Sequence, residues 1–191
     1  MVGPASRRAF LRLSGASLAG GSGALLTACG GGSGAKRKLV AGSEPAAVRR
    51  ADISIMNGVL DLEHTAIAAY TAGIPLLTGR ARAAATRFLR QELSHASKLH
   101  DTIKGAGGKP HLAKASYDLG SPDSETDVLD MLRALEKSLL SAYLAAIPEL
   151  MPGWLRAVAA GILANEAQHI SVLRSVQGQR PVPSAFVTAS E

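Results

Sequence analysis

The 191-residue sequence has little of two residue classes: it holds one cysteine, Cys29, and only 4% aromatic residues. A single cysteine excludes an intrachain disulfide and any metal site built from several thiolates. The scarcity of aromatic residues disfavours a β-sheet, whereas abundant Ala and Leu favour packed helices. The chain is long enough, and at 47% hydrophobic residues apolar enough, to form one domain with a sizeable core. We therefore expect a single all-α domain.

The sequence also lacks a one-sided basic stripe. Three of its 21 basic residues, Arg7, Arg8 and Arg12, lie in an N-terminal segment that we expect to be removed, which leaves 18 basic against 15 acidic residues. The remaining basic residues are scattered among acidic ones, without the interleaved aromatic side chains of a phosphate-tracking surface. No nucleic-acid partner is expected.

The N-terminal residues 1–28 have the pattern of an export signal. The pair Arg7-Arg8 precedes a Gly-rich, mildly apolar stretch that is too short and too weakly hydrophobic to span a bilayer. This stretch resembles a twin-arginine signal, and the Leu-Thr-Ala-Cys sequence that ends at Cys29 resembles a bacterial lipobox. The alternative is a disordered tail with a coincidental arginine pair. The expectation is export by a twin-arginine route and attachment to the outer face of the bacterial cytoplasmic membrane, through a lipid on Cys29.

Residues 29–47 are rich in Gly, Ser, Lys and Arg and offer almost nothing to bury, so they predict a flexible tether. Residues 48–178 are expected to form the folded bundle. Residues 179–191 contain Pro181 and Pro183 and are expected to form a loose tail.

Apolar residues spaced by three and four predict four helices, at residues 48–77, 81–104, 124–147 and 153–177. Pro75 can end the first helix a few residues early, and Pro148 is expected to end the third. About twenty residues separate the second helix from the third, enough to cross the length of a bundle. The sequence therefore predicts an antiparallel four-helix bundle of two hairpins joined by a long crossover.

The motif Glu-x-x-His occurs twice, in the second and the fourth predicted helix, and each spacing places carboxylate and imidazole on one helix face. A lone glutamate in the preceding helix stands 29 residues before the first copy and 30 before the second. This is the ligand set of carboxylate-bridged two-metal sites in four-helix bundles. The candidate metal ligands are Glu63, Glu92, His95, Glu136, Glu166 and His169.

Four ionised glutamates in an apolar core require counter-charge, because each costs several kcal/mol to bury. Two divalent cations supply that charge, and imidazole nitrogens favour iron, manganese or zinc over calcium. Bridging by Glu92 and Glu166 would hold two ions about 3.5–4 Å apart, with room for a small oxidant. We expect two iron ions, with manganese as the alternative.

Tyr70 and Tyr143 each follow a lone glutamate by seven residues, which indicates an internal duplication with two halves related by a pseudo-twofold axis. Their hydroxyls can hydrogen-bond the ligand carboxylates or supply an electron. The alternative is that both rings simply pack in the core.

This pattern, over residues 48–177, resembles the ferritin-like superfamily, which includes ferritins, rubrerythrins and manganese catalases. The resemblance implies a ferritin-like bundle in which the six residues are metal ligands and Glu92 and Glu166 are the bridges. It has limits, because the chain lacks the cysteine module of rubrerythrins. Its C-terminal segment is also too short and Pro-broken for the fifth helix of a storage cage, so a closed cage is not expected.

The expected function is oxidation of Fe(II), or consumption of peroxide, by an exported lipid-anchored protein that uses dioxygen or hydrogen peroxide. Repeated turnover would need an electron donor that the sequence does not identify, and the sequence does not specify an oligomeric state. The alternative is a metal-binding or structural surface lipoprotein without catalytic turnover.

Overall fold

The computed structural model describes residues 48–188, and within that range the chain forms helices and no strand. The expected signal peptide, the lipidation site Cys29 and the tether lie outside the described residues. The four helices are α1 (Arg50–Gly73), α2 (Gly79–Gly105), α3 (Glu125–Glu149) and α4 (Gly153–Val176).

Proline has different effects on the ends of two helices. Helix α1 ends at Gly73, and Pro75 lies in a single 3₁₀ turn, Ile74–Leu76, so the early end that its position allowed is confirmed. Pro148 does not end α3, which continues to Glu149, and the predicted end at residue 147 is wrong by two residues. The reason is that Pro148 falls in the last turn, where the loss of one backbone donor affects little of the helix.

The two helix hairpins are joined by residues 106–124, which run the length of the bundle. At the beginning of this segment, the side chain of Asn57 in α1 donates to the carbonyl of Lys109. At its end, the backbone and hydroxyl of Thr78 both donate to the Glu125 carboxylate, which places the start of α3 beside the end of α1. Helices α1 and α3 are therefore antiparallel neighbours, and the predicted crossover is confirmed.

The opposite end of the bundle is held by a buried carboxylate. Asp52, in the first turn of α1, accepts hydrogen bonds from the backbone N–H and the guanidinium of Arg49. It also accepts one from the backbone N–H of Met151, in the short connection between α3 and α4. The start of the first hairpin is thereby fixed to the turn of the second.

The core consists of two apolar clusters, with a polar layer from all four helices between them. One cluster lies at the end where α1 begins and includes Met56, Leu60, Leu99, Tyr143 and Leu155. The other lies where α1 ends and includes Tyr70, Phe88, Val128, Leu132 and Leu173. No helix within residues 48–188 is long and apolar enough to cross a membrane.

Candidate metal centre

All six residues predicted as metal ligands meet in the polar layer. Each helix contributes one glutamate, and the Glu-x-x-His spacing adds a histidine from α2 and one from α4 on the same face. The four glutamates and His169 have no exposed surface, and the side chain of His95 is 12% exposed. The residues are Glu63 from α1, Glu92 and His95 from α2, Glu136 from α3, and Glu166 and His169 from α4.

One half of the centre surrounds His95. Its Nδ1 lies 2.9 Å from Glu166 Oε1, 3.4 Å from Glu92 Oε2 and 3.6 Å from Glu63 Oε2. One ligand atom from each of these four residues lies within 4.8 Å of all the others. Four donor atoms at such distances can surround one cation, and we call this group the His95 position.

The other half surrounds His169 in the same way. Its Nδ1 lies 2.9 Å from Glu92 Oε1, 3.3 Å from Glu136 Oε1 and 3.4 Å from Glu166 Oε2. These four residues again offer ligand atoms that all lie within 4.8 Å of one another. We call this group the His169 position.

Glu92 and Glu166 take part in both positions, and each does so with a different oxygen on each side. Glu92 turns Oε2 towards His95 and Oε1 towards His169. Glu166 turns Oε1 towards His95 and Oε2 towards His169. Glu63 and Glu136 each belong to one position only. In a centre with two bound ions, the two shared glutamates would be bridging ligands and the two unshared glutamates would be terminal ligands.

Eight buried nitrogen and oxygen atoms of the centre have no hydrogen-bond partner. The short contacts among them therefore bring donor and acceptor atoms close without the geometry of a hydrogen bond. A buried polar atom left unpaired costs about 1–3 kcal/mol, so a native protein rarely keeps several together. The atoms are both carboxylate oxygens of Glu92 and of Glu166, Oε2 of Glu63 and of Glu136, and Nδ1 of His95 and of His169.

The two tyrosines reach across the bundle in a reciprocal pattern. Tyr143 in α3 donates its hydroxyl to Glu63 Oε1 in α1, at 2.5 Å. Tyr70 in α1 donates to Glu136 Oε1 in α3. The hydrogen-bonding interpretation is thus confirmed for both rings. Burial and the neighbouring carboxylate raise the pKa of each hydroxyl well above its usual range, so both stay protonated and donate.

In the protein alone, both imidazoles are protonated at neutral pH. Burial by itself lowers the pKa of His95, but the Glu166, Glu63 and Glu92 carboxylates outweigh it and raise the pKa to about 12. In the same way, nearby carboxylates outweigh burial at His169 and raise its pKa to about 11. The two histidines are therefore the only cations that the centre itself supplies.

The two glutamates shared by both positions and the two unshared glutamates differ in protonation. Burial would raise the pKa of Glu166, but His169 and His95 overcome it and lower the pKa to about 2, and they lower that of Glu92 as well. Burial raises the pKa of Glu63 to about 8 and that of Glu136 well above its usual range. The neighbouring imidazoles thus favour the ionised form of Glu92 and Glu166, whereas burial favours the protonated form of Glu63 and Glu136.

Two residues at the His169 position were not predicted from the sequence. Gln91 Oε1 lies 2.9 Å from His169 Nε2, the ring nitrogen that faces away from the carboxylates. The Phe88 ring stacks on the His169 ring, with centroids 4.0 Å apart. The only signal in the local sequence is their place beside Glu92. Phe88 lies one helical turn before Glu92, and Gln91 is the residue immediately before it. The pattern does not show that both contact a residue of α4.

Comparison with known proteins gives one family and a shared fold. The model of the ferritin-like domain family matches residues 51–179. No curated protein matches the chain. Among solved structures, a conserved hypothetical protein from Mycobacterium tuberculosis aligns over 72% of this chain and 97% of its own, with 21% identity and a TM-score of 0.65.

Two further solved structures have ferritin names. A ferritin-like diiron-carboxylate protein from Bacillus anthracis aligns over 66% of this chain and 94% of its own, with 21% identity and a TM-score of 0.58. A dodecameric thioferritin from Bacteroides fragilis aligns over 67% of this chain and 84% of its own, with 22% identity and a TM-score of 0.59. These similarities confirm the predicted all-α ferritin-like fold.

Proposed function

The chain belongs to the ferritin-like domain family, and from that premise we propose that its buried centre binds two metal ions and oxidises Fe(II) with dioxygen or hydrogen peroxide. The observation that carries the proposal is the set of eight buried, unpaired ligand atoms. They converge in two groups of four that share two bridging glutamates. A metal ion in each group would pair every one of them.

The donor set fits divalent transition metals. Four ionised glutamates carry the charge that two divalent cations neutralise, and one imidazole nitrogen for each ion selects against calcium and magnesium. The terminal glutamates each keep one oxygen on a tyrosine and one oxygen unpaired. Iron is the metal that we propose, and manganese, which takes the same donors, is the alternative.

Two iron ions bound in this centre would supply two electrons, so that oxidation of two Fe(II) to two Fe(III) reduces one hydrogen peroxide, with two protons, to two waters. The residues of the chain keep the site rigid and dry. All ligands lie on helices, between two apolar clusters that exclude bulk water. Of the six candidate ligands, only His95 has exposed surface. This small exposure suits a small oxidant and excludes a large organic substrate.

Stopped-flow absorbance tests the reaction. Purified protein given two Fe(II) per chain without oxygen should form Fe(III) faster than free Fe(II) in the same buffer, when mixed with dioxygen or hydrogen peroxide. His95→Ala and His169→Ala should lose the acceleration. His100→Ala and His111→Ala should keep it, because these two histidines pair with Asp101 and Asp61 outside the centre. No acceleration with either oxidant would contradict the redox proposal and favour a metal-binding protein without turnover.

The proposal includes a location at the outer face of the cytoplasmic membrane. Its support is the order of the arginine pair, the apolar stretch and Cys29 in the sequence. Replacing Arg7 and Arg8 together by lysine should retain precursor inside the cell, whereas Arg12→Lys serves as the control. Cys29→Ser should move exported protein from the membrane fraction to the soluble fraction. Unchanged export of the double variant would contradict the twin-arginine route.

A further inference from the structure

The two halves of the centre are built from corresponding residues, but they differ in how each histidine is supported. Two positions on the helix of each Glu-x-x-His motif can be compared between the halves. One is the residue immediately before the glutamate, and the other is the residue one turn before the glutamate. In α2 these are Gln91 and Phe88, and in α4 they are Asn165 and Ile162. The half with α2 thus has Gln and Phe at these positions, where the half with α4 has Asn and Ile.

His169 is fixed from the opposite hairpin. Gln91 Oε1 can only accept, so its 2.9 Å contact places a proton on His169 Nε2 and leaves Nδ1 to face the carboxylates. The stacked Phe88 ring restricts rotation of the imidazole, and the side chain has no exposed surface. Histidines that bind metals almost always have such a partner on the second nitrogen.

His95 has no equivalent support. Asn165 is one methylene shorter than Gln91, and within residues 48–188 no hydrogen bond joins it to His95. Ile162 occupies the place of Phe88 and cannot stack as an aromatic ring does. The His95 side chain is also 12% exposed. Its ring contacts the carboxylates and, with centroids 6.2 Å apart, the His169 ring, and its position is the one that solvent reaches.

We propose that the two metal positions are inequivalent: the His169 position binds its ion tightly and first, and the His95 position binds a second ion that exchanges with solution. Gln91 is the positioning residue that sets this order, because it keeps His169 Nδ1 directed at the ion. This inference rests on the proposed function, since it assigns the exchangeable ion, the Fe(II) substrate, to the His95 position.

Anaerobic calorimetric titration with Mn²⁺ as the probe separates the two positions. Wild-type protein should bind two ions with distinct affinities. Glu63→Gln removes a ligand of the His95 position only and should abolish the weaker event. Glu136→Gln removes a ligand of the His169 position only and should abolish the tighter event. These two variants form a matched pair, because each replaces the one carboxylate that accepts from a tyrosine by a neutral amide whose oxygen can still accept.

Variants of the supporting residues test the cause. Gln91→Leu should weaken the tighter event by about 10–100-fold, the usual effect of removing a partner of a ligand histidine. Gln91→Glu, which still accepts from Nε2, should restore it. Asn165→Gln, which has the longer side chain, should raise the affinity of the weaker binding event and so narrow the difference in affinity between the two positions.

The outcomes separate the inference from the function on which it rests. Two ions of equal affinity, or loss of the tighter event in Glu63→Gln, would overturn the inference and leave the two-metal site intact. A Gln91→Leu variant that is folded by circular dichroism but binds as wild type does would also overturn it. If wild-type protein binds no ion, the proposed function fails together with the inference.

Discussion

Asp52 and the four glutamates of the centre are equally buried carboxylates in two different environments. Asp52 has no exposed surface, and both of its oxygens accept hydrogen bonds, from Arg49 and from the backbone of Met151. The glutamates have no exposed surface either, yet six of their eight oxygens have no hydrogen-bond partner. The chain thus supplies hydrogen-bond donors for both oxygens of Asp52, whereas it supplies none for most carboxylate oxygens of the centre.

The same contrast appears in the ionisation of the two regions. Hydrogen bonds from Arg49 outweigh burial and, with the Met151 N–H, lower the pKa of Asp52 to about 2. Burial raises the pKa of Glu63 to about 8. In the protein alone, the Asp52 carboxylate is stable as an anion, whereas the Glu63 carboxyl group favours its protonated form at neutral pH. Each of the following changes acts on one region and leaves the other as its control.

The largest expected effect on stability is that of the metal itself. An ion that binds only the folded protein adds about 2.7 kcal/mol at a concentration 100 times its Kd. For a chain of this length this corresponds to a rise in Tm of about 5–10 °C. Scanning calorimetry should show this rise on addition of Mn²⁺ to wild type and to Asp52→Asn, and no rise in Glu92→Ala. An equal rise in Glu92→Ala would place the bound metal elsewhere.

A smaller effect is expected from Asp52→Ala in the metal-free protein. The substitution leaves the N–H of Met151 and the capped end of α1 without an acceptor, which costs about 1–3 kcal/mol. Urea unfolding should show this loss of free energy, while the number of bound ions should not change. The control is Asp101→Ala, whose side chain is exposed and should change stability little. Loss of metal binding in Asp52→Ala would show that the two regions are not independent.

The smallest effect is a pH dependence that belongs to Asp52. Its pKa in the folded protein, about 2, lies below its usual value of 3.8. The stability it contributes is therefore fully present above pH 3.8 and is lost as the pH falls through 2. The difference in unfolding free energy between wild type and Asp52→Asn should shrink over that range in acid. If this difference in unfolding free energy stays constant from pH 6 to pH 2, the pH dependence does not belong to Asp52.

The contacts that the sequence did not predict are those between residues far apart in the chain. Helical periodicity predicted every helix within four residues of its observed ends, and the repeated spacing brought together Glu63, Glu92 and Glu166. A first-turn aspartate such as Asp52 is usually exposed, and its partner Met151 lies 99 residues away. Gln91 and His169 are 78 residues apart. Such pairs depend on how the helices pack, which no local pattern records.

The central claim, that the unpaired glutamates form a two-metal site, is tested most directly by counting metal. The purified protein is loaded with Fe(II) without oxygen, freed of unbound iron by gel filtration and measured by elemental analysis. Wild type and Asp52→Asn should each retain about two ions per chain. Glu92→Ala and Glu166→Ala should retain none, because each of these carboxylates faces both positions. Wild-type protein without bound metal, or two ions still bound in Glu92→Ala and Glu166→Ala, would contradict the account.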